Sequence, residues 1–174
     1  MAYQKLQVSD GLNVIPSATV RIPDPSSVVI LAPSSGDSKG SGAFDVAGRL
    51  TDTGNFFLSS NIKAGAIIYN TTAGIAYNVV SVDSDTEITI SPSSAGGALD
   101  NYTIYNNATK GCILFVGTGG TLDVQMAAQN GNTTEKSALS NNELRFANIA
   151  DGQFLPIQVV RVSTSVASNI IALW

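Results

Sequence analysis

Short runs rich in Val, Ile, Tyr, Phe and Thr alternate along this chain with clusters of Gly, Ser, Asn, Asp and Pro. Alternation with period two places one strand face on a core, and turn-formers at roughly eight- to twelve-residue intervals are the spacing of antiparallel sandwiches and barrels. The pattern predicts strands at Tyr3–Val8, Ala18–Ile22, Val28–Leu31, Ala66–Asn70, Ile75–Val82, Glu87–Ser91, Tyr102–Tyr105, Cys112–Val116, Thr121–Gln125, Glu143–Asn148, Leu155–Val162 and Asn169–Leu173. In the run from Leu155, one face carries Leu155, Ile157 and Val159, and Pro156 marks an edge or a strand beginning. No segment combines a 3.6-residue apolar period with capping signals, and the polar stretch Asn130–Asn142 reads as a loop. The expectation is an all-β protein, an antiparallel β-sandwich or a barrel-like domain.

Two punctuation zones divide the pattern. Pro33–Gly42 has the composition of a flexible Gly/Ser linker, and Asn106–Gly111 is a second polar break. Residues 43–105 between them read as a small inserted β domain whose last part is a hairpin series turning at Asp83-Ser-Asp-Thr. At roughly 60 residues such a unit is near the lower limit for independent folding. Residues 1–42 and 106–174 then form a discontinuous outer β domain.

Composition narrows the function classes. Charged residues are 13% of the chain, against about 25% in average domains. The exterior is therefore small polar residues, or part of it is covered by partners. The net charge of -4 and the scatter of the nine basic residues disfavour phosphate-backbone binding and attraction to an anionic membrane surface. Neither a nucleic acid nor a membrane is an expected partner. The start Met-Ala-Tyr-Gln-Lys-Leu-Gln lacks the apolar core of a signal peptide, and no apolar run approaches the ~20 residues of a membrane span. Both point to synthesis in the cytoplasm. Cys112 is the single cysteine, in an apolar run, and reads as a small buried hydrophobe.

Candidate chemistry is sparse. Histidine is absent, which removes Ser-His-Asp and Cys-His nucleophile systems together with histidine metal sites. Asp83, Asp85 and Glu87 could share a face as a weak calcium site or hydrolase pair, but Asp-Ser-Asp-Thr is also ordinary turn chemistry. Gly36–Gly42 and Gly117–Gly120 do not fit a phosphate loop, because Gly follows Lys39 and no helix follows either run. Gly117–Gly120 reads as a hairpin turn between the strands flanking it. The Asn-X-Ser/Thr patterns at Asn70, Asn101, Asn107 and Asn132 are what an Asn/Thr-rich chain yields by chance. Phe56, Phe57, Tyr69, Tyr77, Tyr102 and Tyr105 are either the core of the inserted domain or a surface for stacking sugars. The residues predict no enzyme, no cofactor and no metal.

The segments Gly111-Cys-Ile-Leu-Phe-Val-Gly-Thr-Gly-Gly-Thr-Leu-Asp-Val and Phe146-Ala-Asn-Ile-Ala-Asp-Gly-Gln-Phe-Leu-Pro-Ile-Gln-Val-Val-Arg-Val, with the closing Ile170-Ile-Ala-Leu-Trp, resemble the head spike base proteins of tailed phages and gene-transfer agents. The matching positions are Gly152, Leu155, Pro156, Val159, Arg161, Val162, Ala172, Leu173 and Trp174. The middle unit looks like a small β module of phage structural proteins. The resemblance implies a virion protein on the capsid surface, a symmetric homo-oligomer (a pentamer at a five-fold vertex), with the major capsid protein and a fibre protein as partners. It implies contact residues among Leu155, Pro156, Arg161, Leu173 and Trp174. Alternatives are a tail, neck or fibre-associated virion subunit, or a host-glycan binding module.

Overall fold

The computed structural model describes residues 8–31, 39–93, 96–128 and 143–174. Most of the expected strand Tyr3–Val8, most of the Gly/Ser zone and the loop Asn130–Asn142 lie outside them. The described fold is all-β: β1 Gly11–Asn13, β2 Lys39–Gly42, β3 Arg49–Thr51, β4 Ile67–Asn70, β5 Ile75–Val82, β6 Glu87–Ser91, β7 Asp100–Tyr105, β8 Cys112–Thr118, β9 Gly120–Met126, β10 Leu144–Ile149, β11 Gln153–Ser165 and β12 Ser168–Leu173. They form two six-stranded sheets in which every pairing is antiparallel.

The chain divides into two compact units, Met1–Val14 with Lys110–Trp174, and Ile15–Thr109. The sequence placed the first boundary after residue 42. The described residues 15–31 and 39–42 fall in the second unit, and their pairing gives the reasons. Lys39–Gly42, read as linker, is a strand on β7, with Gly40 opposite Tyr102. A Cβ on Gly40 would collide with the Tyr102 ring, so glycine here lets an aromatic lie against the backbone. The expected strands Ala18–Ile22 and Val28–Leu31 bury Val20, Ile22, Val29 and Leu31. They form isolated bridges instead of ladders, Pro23 to Ala108 and Val28 to Tyr105, with further backbone bonds from Thr109 N to Ile22 O at 2.9 Å and from Val29 N to Ile104 O at 2.8 Å.

In the second unit the order is β2-β7-β4-β5-β6-β3. Ala43, next to β2, exchanges two backbone hydrogen bonds with Thr51 at the end of β3, which brings the sheet's two edges together and nearly closes a barrel. Phe44 fills its centre, stacked on Tyr77 at 5.3 Å and edge-on to Tyr102 at 5.7 Å. Leu50, Phe57, Ile68, Val79, Ile88, Ile90 and Ile104 complete the core.

In the first unit the order is β1-β12-β8-β11-β9-β10. Gly117–Gly120 joins β8 to β9, but the two are not hairpin partners. β11 lies between them, its first half on β8 and its second half on β9. This strand of 13 residues turns that corner through register irregularities between Leu155 and Val159, Val159 and Arg161, and Val162 and Thr164. The glycines serve this crossing rather than a turn. A Cβ on Gly119 would run into the Ile149 carbonyl, and Gly120 sits at φ +151°.

Candidate functional site

Directly opposed residues in a sheet present their side chains on one face, so the register of the first unit defines two outer surfaces. One row runs Gly11, Leu173, Ile113 across β1, β12 and β8. The next runs Asn13, Ile171, Phe115, Phe154 from β1 to β11. The opposite face of the same strands carries the buried Leu114, Val116, Ile170 and Ala172. Strands apolar on both faces need cover on both. The outer row is only partly covered: Phe154 is 54% exposed although its ring lies 5.0 Å from Phe115.

This face ends in a cleft of about 100 Å³ lined by Val8, Gly111, Cys112, Ile113, Gln158, Leu173 and Trp174. Trp174 is fixed there by backbone bonds, donating to Asp10 O at 3.1 Å and accepting from Ser9 N at 2.6 Å. The Cys112 thiol donates to Val159 O at 3.2 Å, and burial pushes its pKa up to about 12. It therefore stays protonated at neutral pH and is no nucleophile. At the far end of β12, Val166 stands on the turn from β11 and is 80% exposed. The Val166 and Ala167 N–H groups both donate to Thr121 O, at 2.9 and 3.3 Å, so the turn is tied to β9. Beside it a shallow hollow of about 150 Å³ is lined by Thr121, Asp123, Arg145, Ser165 and Val166.

The second outer surface, over β11, β9 and β10, is polar and internally neutralised. Arg145 donates through Nε and Nη2 to the two carboxylate oxygens of buried Asp123, each at 2.8 Å. That pairing holds the guanidinium's pKa above its ordinary value. Arg161 Nη2 donates to Glu143 Oε1 at 3.0 Å, and the two side chains are only 11% and 10% exposed.

The residues expected from the sequence to make contacts thus separate. Leu173 and Trp174 border the apolar face and its cleft, and Pro156 is exposed. Leu155 lies opposite Leu114 and turns inward, half-buried. Arg161 is spent inside the subunit on Glu143. Sequence reasoning missed Phe154, Phe115 and Ile171, and one signal could have found them. The unbroken apolar run Cys112–Val116 is what a strand apolar on both faces looks like.

Other candidates resolve into structure. Asp83 accepts from Thr89 Oγ1 at 2.6 Å and Ser81 Oγ at 2.7 Å, which lowers its pKa, and Glu87 pairs with Arg49 at 3.0 Å. The Asp85 backbone carbonyl accepts from Phe57 N at 2.9 Å. Among the described residues no three His, Cys, Asp or Glu side chains come together as metal ligands. Phe57, Tyr69, Tyr77, Tyr102 and Tyr105 are buried, and of the six aromatics weighed as a sugar platform only Phe56, at 61%, is exposed. Asn70 is fully buried and donates to Asp100 Oδ2 at 2.8 Å. Asn101 and Asn107 are exposed, and Asn132 lies outside the described residues. Among the described residues no helix is long and apolar enough to cross a membrane. Compared with protein-family models, with curated proteins and with solved structures, the chain shows no match.

Proposed function

We propose that this chain is a non-enzymatic structural subunit of a virus particle, a head spike base or capsid-decoration protein that assembles with copies of itself. The observation that carries the assembly reading is the outer row Ile171, Phe115, Phe154, continued by Leu173 and Ile113, with Phe154 over half exposed. An aromatic and aliphatic row of this kind on a chain with 13% charged residues marks a surface that another protein covers. The placement on a capsid rests on the resemblance of the β8–β9 and β11–β12 segments to head spike base proteins. The same segments build this face, and the partners are sister copies, the major capsid protein and a fibre protein.

A standard interface buries roughly 1,200–2,000 Å² in total, and linkage within a closed ring raises avidity by about 10²–10⁴. Modest single contacts therefore suffice in a symmetric assembly. The burial of five of six aromatics leaves little for the sugar-stacking alternative. A tail, neck or fibre position would use the same face. The test has two arms. Phe154→Glu keeps the fold and weakens self-association in light scattering after gel filtration. Image reconstruction of intact particles places the subunit on the head. Unchanged association of the variant contradicts the interface, and density at the tail alone contradicts the capsid position.

A further inference from the structure

The apolar cleft and, among the described residues, the most exposed large apolar side chain of the first unit stand at opposite ends of one strand. Val166 precedes β12, whereas Leu173 and Trp174 at its end line the cleft. The six residues between span roughly 20 Å at about 3.3 Å per residue. We propose that Val166 of one copy inserts into the cleft of the next, giving a directional, head-to-tail contact between copies of this chain. The inference rests on the assembly reading and specifies its geometry.

Three observations single out a second copy as the occupant. The first is size: the cleft holds about 100 Å³, the room of roughly three waters, which suits one isopropyl group. The second is charge. Copies carrying -4 each repel, yet the cleft lining (Val8, Gly111, Cys112, Ile113, Gln158, Leu173, Trp174) has no charged side chain. Neither does the turn from Ser165 to Asn169, and the charged groups sharing its hollow, Arg145 and Asp123, are bonded to each other. Both surfaces of the contact are thus free of side-chain charge. The third is area. One valine cannot supply the roughly 800 Å² per partner of a stable interface, but the cleft is continuous through Ile113 and Leu173 with the row Ile171, Phe115, Phe154. A copy seated by Val166 lies against that row. Knob and hole on different parts of one molecule form rings when the rotation closes and filaments when it does not.

The test uses the full chain in sedimentation velocity, with the emission of Trp174, the single tryptophan, as a reporter inside the cleft. Val166→Asp removes the knob at an exposed turn. Gln158→Glu and Ile113→Glu each place a carboxylate at the cleft, the first on an exposed side chain where folding is not at stake. Each is expected to weaken association about tenfold or more and to abolish the concentration-dependent blue shift of Trp174. A one-to-one mixture of Val166→Asp with Ile113→Glu, or with Gln158→Glu where the former fails to fold, forms a heterodimer that grows no further, because one intact knob meets one intact hole. Wild-type association that survives Val166→Asp overturns the knob and leaves the assembly reading standing. Variants that dissociate alone and stay apart when mixed overturn the head-to-tail geometry. A wild-type chain that never associates overturns both.

Discussion

Tyr102 donates its hydroxyl proton to Asp52 Oδ2 across 2.7 Å, joining residues 50 positions apart, both almost wholly buried. Asn55 Nδ2 donates to the same oxygen at 2.7 Å, and Gly54 N reaches Oδ1 at 2.8 Å. A buried carboxylate is tolerable only when its lone pairs are occupied, and this cluster ties the loop after β3 to β7. Tyr102→Phe removes one donor and is expected to cost about 1.5–3 kcal/mol. Tyr77→Phe is the control, since the Tyr77 hydroxyl is buried without a partner and its loss is expected to be neutral or slightly stabilising. Urea unfolding of the two variants checks both signs.

Glu143 and Arg161 form a pair that water barely reaches. Glu143→Gln leaves the guanidinium buried without its counter-charge and is expected to destabilise by about 3 kcal/mol. Replacing both partners, Glu143→Leu with Arg161→Met, is expected to cost less than the single change, because no unpaired charge remains. Denaturant midpoints of the single and double variants decide it.

Gly119 tests the crossing of β8 to β9. Its added Cβ would meet the Ile149 carbonyl and the backbone of Ala150 and Asp151, which cannot step aside as a side-chain tip can. Gly119→Ala is expected to lose about 2 kcal/mol or more, whereas Gly65→Ala, with open space around it, loses less, mainly from its positive φ. Thermal unfolding of the pair separates collision from backbone strain.

Alkaline pH is expected to lower stability in two overlapping stages. Burial raises Cys112 from 9.0 to about 12, so the folded state holds this proton more tightly than the unfolded one. Its contribution is complete below about pH 9 and declines as the pH rises towards 12. Burial and the Asp52 bond raise Tyr102 well above 10.0, which adds a second decline above pH 10 by the same sign. Cys112→Ala is expected to flatten the first stage and leave the second. Stability measured against pH by urea titration shows whether it does.

Much of this architecture was legible in the sequence. The runs at Ile75–Val82 and Glu87–Ser91 match observed strands residue for residue, because alternation and turn chemistry agree there. Other features needed three-dimensional partners. Lys39-Gly-Ser-Gly carries no apolar period, yet it pairs with β7 because Gly40 makes room for Tyr102. Val20, Ile22, Val29 and Leu31 alternate like strands because alternation reports burial, not pairing. The neighbour of β8 could not be read either. Which strand fills the space beside it depends on how β11 bends, and that follows from its irregular register. Arg161 and Phe154 show the same limit at the site. A lone Arg reads as a surface contact until Glu143, 18 residues earlier, is found beside it. Phe154 falls outside the face read from Leu155, Ile157 and Val159, and only its register with Phe115 sets it beside another aromatic.

Native mass spectrometry of the purified full-length chain over a dilution series measures the central claim directly. The account predicts one closed oligomer at high concentration that falls to monomer on dilution, and falls sooner for Phe154→Glu. A chain that stays monomeric throughout the series, with the apolar face open to water, contradicts it.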